Sequence, residues 1–358
     1  MNWIGLADHL DGRFSPKGFK PRGAAPVATL LERGTLMFET QVAGHMRPHD
    51  LLGIAENVPW ARELVFRAIP GGGIAMVHRQ HDDIIHAAIR WTGDGRAHTL
   101  RVTYAWDTPN GWARLALEQP ERARVVTNQV HAPRPQRTDD LRGLMLNHAA
   151  RTLSKEVIFG AVATDIAPVG PMPTLHPETP IATPGGYRPA KTLQRGDTVL
   201  TNTGDIVPVL HTVRTSVPAR GSFAPVRLHA PYFGLTRDIV VAPEQRLVLQ
   251  GSEVEYIFGQ EAVLVPARHL VNGFAATWSA PANVADYVQL VLPGHEVIVA
   301  AGCALESLYI GRIRRHKARL GASILANVPS RLLPEHARPI HQVLDPFEAI
   351  TLIDQRAA

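Results

Sequence analysis

The chain has 358 residues, of which 45% are apolar, 19% charged and 6% aromatic. This composition excludes intrinsic disorder and collagen-like structure, and the length favours two domains, because one hydrophobic core rarely grows beyond about 250–300 residues. The 37 basic and 32 acidic side chains give a net charge of +5 that is spread along the chain, so we expect no nucleic-acid partner.

The cysteine content and the absence of targeting signals restrict the class further. A single cysteine, Cys303, excludes an internal disulfide and a cysteine-rich zinc or iron–sulfur site within one chain. The N-terminal segment lacks the basic start and apolar core of a secretory signal, and no apolar run reaches about 18 residues. We therefore expect a cytoplasmic protein with no membrane partner, although export by a system that reads a C-terminal signal stays open. The sequence leaves the oligomeric state open.

The first half of the chain has the pattern of a β-sandwich. Residues 1–33 are rich in Pro, Gly and Arg without a sustained period, so we expect a loose lead-in segment there. Short apolar or alternating runs separated by turn signals follow, and they predict an antiparallel sandwich over residues 34–168. The predicted strands are Leu36–Val42, Glu63–Ile69, Ile74–Arg79, Ile84–Trp91, Thr99–Trp106 and Trp112–Leu117. A helix over Asp140–Lys155 and a closing strand from Glu156 complete the domain.

One part of this region resembles a known family. The run Ala97–Asp107, followed by Gly111–Leu117, resembles the centre of laminin-G and concanavalin-like lectin domains, whose usual phrase is "W-H-x-v-x-v-x-y-d…g-x-x-x-l-x-v-d". The resemblance implies a lectin-like sandwich. It also implies a glycan or a protein as a candidate ligand.

Two groups of polar residues in this region are candidate metal sites. Lectin-like sandwiches often hold calcium through Asp, Asn and carbonyl oxygens, and Asp94, Asp107 and Asn110 lie in turns, where such side chains also bond to the local backbone. We expect no cofactor, with calcium at these turns as the alternative. A second group could bind zinc or could be an exposed polar hairpin tip. Its histidines are His78, His81 and His86.

The sequence after Pro171 carries a more specific pattern. The block Glu178–Thr201 resembles the opening of bacterial Hedgehog/intein (Hint) domains, "G-T-x-I-A-T-P-x-G-x-R-P-V-E-x-L-x-x-G-D-x-V-L-T". Three later blocks agree with that family in order and spacing. They are Phe223–Leu228 followed by Arg237–Leu249, then Leu264–Gly273, and finally Tyr287–Ala300. The resemblance implies an all-β horseshoe of hairpins over residues 172–311 that processes its own chain, and a basic helical tail at 312–358 is expected to pack on it.

Two positions depart from the family's motif. The family begins with a Cys whose thiol attacks the preceding carbonyl, and here Thr174 stands at that position, directly after Pro173. An alcohol has essentially no anion at neutral pH and needs a base, whereas a thiol is already partly ionised. The histidine that ends the family's "S-P-Q-H" and protonates the departing nitrogen is replaced by Gln245, which has no titratable proton.

The resemblance also assigns two histidines. His295 matches the late block, and His269 matches the "A-K-H-L" position. Two alternatives stay open: one of these imidazoles faces Thr174, or both histidines have a purely structural role. We expect a non-catalytic scaffold or binding module. Two other functions stay open, namely slow self-cleavage after Pro173 by an N-to-O acyl shift, with His295 as the proton donor, and glycan binding by the sandwich. Cys303 is expected after the last strand, as a small buried residue without a catalytic role.

Overall fold

The computed structural model describes residues 1–20, 28–42, 47–70, 72–91, 98–122, 124–280 and 282–357. The chain divides into two compact units, Met1–Gly170 and Pro171–Ala358. Strands dominate both units, so the prediction of an all-β fold is confirmed. Within the described ranges, no helix has the length and apolarity needed to cross a membrane.

The first unit is built from two main antiparallel sheets. A seven-stranded sheet has the order β11-β10-β9-β4-β14-β1-β2, a five-stranded sheet has the order β13-β5-β6-β7-β8, and β12 pairs with β3. The elements are β1 (Trp3–Ala7), β2 (Gly12–Phe14), β3 (Leu30–Leu31), β4 (Arg33–Val42), β5 (His49–Glu56), β6 (Arg62–Ala68), β7 (Gly73–Gln80), β8 (Asp83–Arg90), β9 (His98–Asp107), β10 (Trp112–Gln119), β11 (Arg124–His131), β12 (Gln136–Arg137), α1 (Thr138–Leu146), β13 (Arg151–Leu153) and β14 (Val157–Ala163).

Aromatic packing joins the two sheets into a sandwich. Phe66 on the five-stranded sheet contacts Phe38 on the seven-stranded sheet edge-to-face, with ring centroids 5.2 Å apart. Tyr104 stacks on Trp106 at 5.5 Å and lies 6.3 Å from Phe66. These rings are fully buried, and large aromatic side chains contribute most of the apolar area in such a core. The predicted sandwich is therefore present, with its core between the two sheets.

Two details of the predicted sandwich are wrong. Residues 3–7 are not part of a loose lead-in, because Trp3–Ala7 pairs with both β14 and β2 inside the seven-stranded sheet and is buried along its whole length. The helix predicted over Asp140–Lys155 ends at Leu146, because a turn held by the side chain of Asn147 follows it and Arg151 then begins β13.

The second unit contains several smaller sheets. A seven-stranded sheet has the order β16-β15-β26-β27-β22-β23-β28, β17 pairs with β18, β19 pairs with β25, and a three-stranded sheet has the order β21-β20-β24. The elements are β15 (Pro180–Thr183), β16 (Gly186–Pro189), β17 (Thr198–Leu200), β18 (Ile206–Pro208), β19 (His211–Pro218), β20 (Val226–Leu228), β21 (Ile239–Val241), β22 (Arg246–Gln250), α2 (Ser252–Phe258), β23 (Ala262–Pro266), β24 (Ala276–Trp278), β25 (Val284–Val291), β26 (Val297–Ala300), β27 (Cys303–Glu306), α3 (Lys317–Ala322), β28 (Gln342–Val343) and α4 (Pro346–Ala357).

The C-terminal tail packs on this second unit, as predicted. Strand β28 pairs with β23 in parallel, the one parallel pair among the described strands. Leu344 and Leu352 are buried in the same core as the hairpin strands, whereas Leu325 and Leu333 form a separate small cluster with Val291. The tail is therefore part of the folded domain.

Candidate functional site

Thr174 is fixed where the chain enters the second unit. Its carbonyl oxygen accepts a hydrogen bond from the backbone N–H of Ala242 at 2.7 Å. The next residue, Leu175, forms bridges to both Val241 and Val288. Two strands that are distant in sequence therefore hold Thr174, and this backbone pairing sets the position of its hydroxyl.

A tight turn places Gln245 beside this hydroxyl. Pro243 occupies the second position of a turn that the N–H of Gln245 closes on the carbonyl of Ala242 at 3.0 Å, and proline favours that position because its φ is already suitable. The carbonyl of Gln245 then accepts from the N–H of Ala267 at 2.8 Å. The side chain of Gln245 is completely buried.

Thr174, Gln245 and Gln289 form a closed triangle of hydrogen bonds. The Thr174 hydroxyl donates to Gln245 Oε1 at 2.5 Å. Gln289 Nε2 donates to Thr174 Oγ1 and to Gln245 Oε1, both at 3.0 Å. Gln245 Nε2 donates in turn to the carbonyls of Arg246 and Glu306, at 3.0 and 3.2 Å. The amide of Gln245 thus has both donors and both acceptor sites occupied.

The two histidines that the resemblance assigns to the site make their contacts away from Thr174. His295 Nδ1 accepts the N–H of Ile340 at 3.0 Å, and His295 Nε2 lies 3.2 Å from a carboxylate oxygen of Glu306. The ring of His295 also contacts the rings of Tyr309 and His336. Both ring nitrogens are therefore directed towards groups other than Thr174.

His269 lies in a short 3₁₀ segment and also points elsewhere. Arg268 donates its Nε–H to His269 Nε2 at 3.0 Å, and the same guanidinium pairs with Glu244. Burial, followed by the charge of Arg268, lowers the pKa of His269 to about 4. The imidazole is consequently neutral at physiological pH. The expectation that His269 or His295 faces Thr174 is not supported by these contacts.

Residues 173–312 match the sequence model of a family described as the Hint domain. Residues 173–312 form a Hint domain. The match covers the threonine, both glutamines and both histidines described above.

The solved structures that are similar to parts of the chain include the following three. The gp41-1 intein is 14% identical, with 37% of this chain and 98% of that one covered and a TM-score of 0.25. The CBM40 of the Ruminococcus gnavus IT-sialidase is 17% identical, with 47% and 89% covered and a TM-score of 0.28. The LG1-3 region of the laminin alpha2 chain is 8% identical, with 70% and 37% covered and a TM-score of 0.26. No curated protein matches the chain.

Sequence reasoning missed Gln289, the third member of the triangle in the Hint domain. Gln289 is 1% exposed in the middle of β25, between the buried Val288 and Leu290. A buried glutamine inside an apolar strand is unusual and requires hydrogen-bond partners. A glutamine within the apolar run Val288–Val291 is therefore the sequence feature that could have predicted a role for Gln289 in the site.

The remaining candidates do not form reactive or metal-binding sites. Cys303 begins β27 rather than following the last strand, and burial raises the pKa of its thiol to about 12, so the thiol is protonated. His78 is buried on the inner face of its hairpin, and His81 lies in the turn. His86 pairs with Val77 and not with His78, so its side chain lies on the opposite face of the hairpin. The three histidines therefore do not converge.

The predicted calcium ligands are used locally. Asp107 accepts bonds from the backbone and the side-chain amide of Asn110, at 3.3 and 3.0 Å. Asp94 lies outside the described residues. In the described part of the chain, no three His, Cys, Asp or Glu side chains are grouped so that they could hold a metal ion.

Proposed function

We propose that this Hint domain does not cleave the Pro173–Thr174 bond and acts as a non-catalytic scaffold or binding module joined to the sandwich. The observation that carries the proposal is the pair of contacts at Thr174 Oγ1, 2.5 Å to Gln245 and 3.0 Å from Gln289. Both partners are amides, which neither accept nor release a proton near neutral pH. Among the residues that the structure describes, the hydroxyl therefore has two amide partners and no base beside it.

Two chemical steps of self-cleavage each lack a group that they need. A hydroxyl attacks a carbonyl efficiently only when a base removes its proton. The Thr174 hydroxyl donates its proton in a hydrogen bond to an amide oxygen, which is not a base. Departure of the amide nitrogen needs a proton donor, and loss of such a group costs about 10²–10⁴ in rate. Gln245 occupies the position that the resemblance assigns to this donor, and its N–H groups are bonded to backbone carbonyls.

The test is the intact mass of the full-length chain after incubation at neutral pH, with and without hydroxylamine. We expect one species of 39.1 kDa in both samples. Slow self-cleavage through an N-to-O acyl shift would instead give a fragment that starts at Thr174 and accumulates faster with hydroxylamine. The control is Thr174→Ala, which removes the only nucleophile of that route, so that fragments seen in both proteins indicate contaminating protease.

For the sandwich we propose binding of a carbohydrate or of a protein. A cavity between the five-stranded sheet and α1 supports this proposal. Its polar lining includes Glu56, Glu63, Arg79 and Gln80, a mixture of donors and acceptors that suits hydroxyl-rich ligands. Among the similar structures is the R. gnavus CBM40 bound to alpha2,6 sialyllactose, which is 16% identical with a TM-score of 0.26.

A glycan array probed with the full-length chain tests this second proposal. We expect retention of the chain on one or more glycans of the array. Arg79→Ala should reduce this retention at least several-fold, and Arg90→Ala, on the exposed face of β8, should leave it unchanged. Arrays with calcium and with a chelator decide whether calcium contributes. Equal retention of both variants would contradict binding at this cavity.

A further inference from the structure

A second threonine in the Hint domain lies in a different environment. Thr277 is in β24, His229 directly follows β20, and Asp238 directly precedes β21. These three strands form one small sheet in which Leu228 pairs with both Ile239 and Ala276. The three side chains therefore meet at the same end of the sheet.

The distances connect them in a chain from carboxylate to imidazole to hydroxyl. Asp238 Oδ2 lies 3.0 Å from His229 Nδ1, and His229 Nε2 lies 2.8 Å from Thr277 Oγ1. The order and spacing match the arrangement in which a carboxylate orients a histidine that activates an alcohol. The side chains of His229 and Asp238 are 27% and 40% exposed, so a dissolved substrate can reach them.

The position of each proton follows from the bonds of Asp238. Its second oxygen, Oδ1, accepts the N–H of Ala230 at 3.0 Å, and this bond is the main cause that lowers the pKa of Asp238. An ionised carboxylate only accepts hydrogen bonds, so His229 carries its proton on Nδ1. His229 Nε2 is then the acceptor, and the Thr277 hydroxyl donates to it.

A cation lies near this group, and two exposed aromatic rings stand close to it in sequence. Arg227 is directly opposite Thr277 in the β20–β24 register, and its guanidinium nitrogen lies 3.9 Å from Asp238 Oδ2. Three residues after His229 comes Tyr232, and three residues before Thr277 comes Phe274. Their rings contact each other with centroids 6.2 Å apart, and they are 44% and 61% exposed.

We propose that Thr277, His229 and Asp238 form an ester-hydrolysing site, separate from the Thr174 site, for small carboxylic esters with an apolar or aromatic group. Thr277 is the nucleophile, His229 the general base and acid, and Asp238 orients the imidazole. Arg227 stabilises the negative charge that develops on the carbonyl oxygen. Tyr232 and Phe274 provide the surface against which the apolar group packs.

The reaction is an acyl transfer in two halves. Thr277 Oγ1 bonds to the ester carbonyl carbon while His229 Nε2 takes the hydroxyl proton; the bond from that carbon to the alcohol oxygen then breaks, and His229 gives the proton to the departing alcohol. Water next attacks the acyl-threonine and loses a proton to His229. Cleavage of the acyl–Oγ1 bond releases the carboxylic acid, and the proton returns to Thr277.

The experiment measures hydrolysis of p-nitrophenyl acetate by the full-length chain at neutral pH, together with mapping of the acetylated peptide. We expect a burst of p-nitrophenol, acetylation at Thr277, and a kcat/KM that falls about 10²-fold or more in Thr277→Val and in His229→Gln. Thr277→Ser keeps a hydroxyl and should retain the burst. His81→Gln is the matched control, because His81 is an exposed histidine of the sandwich whose Nε2 lies 3.3 Å from the carboxylate of Asp82.

Three results would overturn the proposal. They are hydrolysis by the wild type no faster than by His229→Gln, an unchanged rate in a folded Thr277→Val, and acetylation at a residue other than Thr277. Far-ultraviolet circular dichroism of each variant separates loss of the site from loss of the fold.

Discussion

Thr174 and Thr277 carry the same hydroxyl in two different surroundings within one Hint domain. Thr174 lies among two buried glutamine amides, and Thr277 lies against an imidazole that a carboxylate orients. An alcohol is a poor nucleophile unless a neighbour removes its proton. The hydrogen-bond partner, rather than the threonine itself, therefore decides whether each position can react.

The largest effect is expected when the Thr174 site receives the missing chemistry. The double variant Thr174→Cys/Gln245→His places a thiol and an imidazole where the triangle now lies. We expect hydroxylamine-dependent cleavage after Pro173, faster than in Thr174→Cys alone by about 10²–10⁴ because a proton donor is added. Intact-mass time courses of the wild type, both single variants and the double variant measure it. A folded double variant that stays intact would show that other features also silence the site.

Removing the third member of the triangle should have the next largest effect. Gln289→Leu keeps the volume but leaves the buried acceptors on Thr174 and Gln245 with one donor fewer each. We expect a loss of about 1–3 kcal/mol in the free energy of unfolding, because unsatisfied buried polar groups are costly. Urea unfolding of wild type and variant tests this. Gln250→Leu, at an exposed end of β22, is the control and should change little. Equal stability of Gln289→Leu and the wild type would contradict the importance of these bonds.

Any fall in the free energy of unfolding at acid pH should arise outside the Thr174 site, since the triangle of Thr174, Gln245 and Gln289 has no titratable group. Burial lowers the pKa of His336 to about 4, and its ring accepts the N–H of Ile310. Below about pH 6.5 the unfolded chain binds a proton that folded His336 does not, so stability falls as the pH drops towards 4, by about 1.4 kcal/mol per pH unit at most. Urea unfolding at neutral pH and at about pH 5.5 should show a smaller difference in His336→Gln than in the wild type. An identical difference would exclude His336 as a cause.

The smallest effects are expected in the free energy of unfolding when each of the two hydroxyls is removed. Thr174→Val removes a hydroxyl that both donates and accepts inside the triangle, and we expect a cost of about 1 kcal/mol. Thr277→Val removes a partly exposed hydroxyl whose partner can bond to water instead, and we expect a change within about 0.5 kcal/mol. Parallel denaturation of both variants gives the comparison. A larger cost for Thr277→Val would indicate a structural role at that position.

The sequence predicted those parts of the molecule that depend on local patterns. The resemblance of the blocks around Glu178–Thr201 and Ala242–Gln245 assigned Thr174 and Gln245 to the family's nucleophile and histidine positions. Their hydroxyl and amide bond to each other in the structure, a contact that the sequence left open. The sandwich strands followed from alternation and turn residues. Strand β1 was missed because Trp3–Ala7 is only five residues long and precedes a segment rich in Pro and Arg.

The remaining contacts depend on residues that are distant in sequence. The direction of His295 is set by Glu306 and by Ile340 in the tail, which no motif connects to it. Gln289 reaches Thr174 only because β25 bridges to Leu175. The group around Thr277 combines three strand ends, and their side chains meet through the register of the small sheet. Such contacts follow from tertiary packing rather than from local pattern.

The fate of the Pro173–Thr174 bond in the wild-type chain shows most directly whether the Thr174 hydroxyl reacts. After a day at neutral pH with hydroxylamine, proteolytic digestion and mass spectrometry would quantify the peptide that spans this bond. Our prediction is that the spanning peptide remains at its starting level and that no chain begins at Thr174. A growing fraction that begins at Thr174, absent from Thr174→Ala, would contradict it and show that the threonine hydroxyl reacts despite its amide partners.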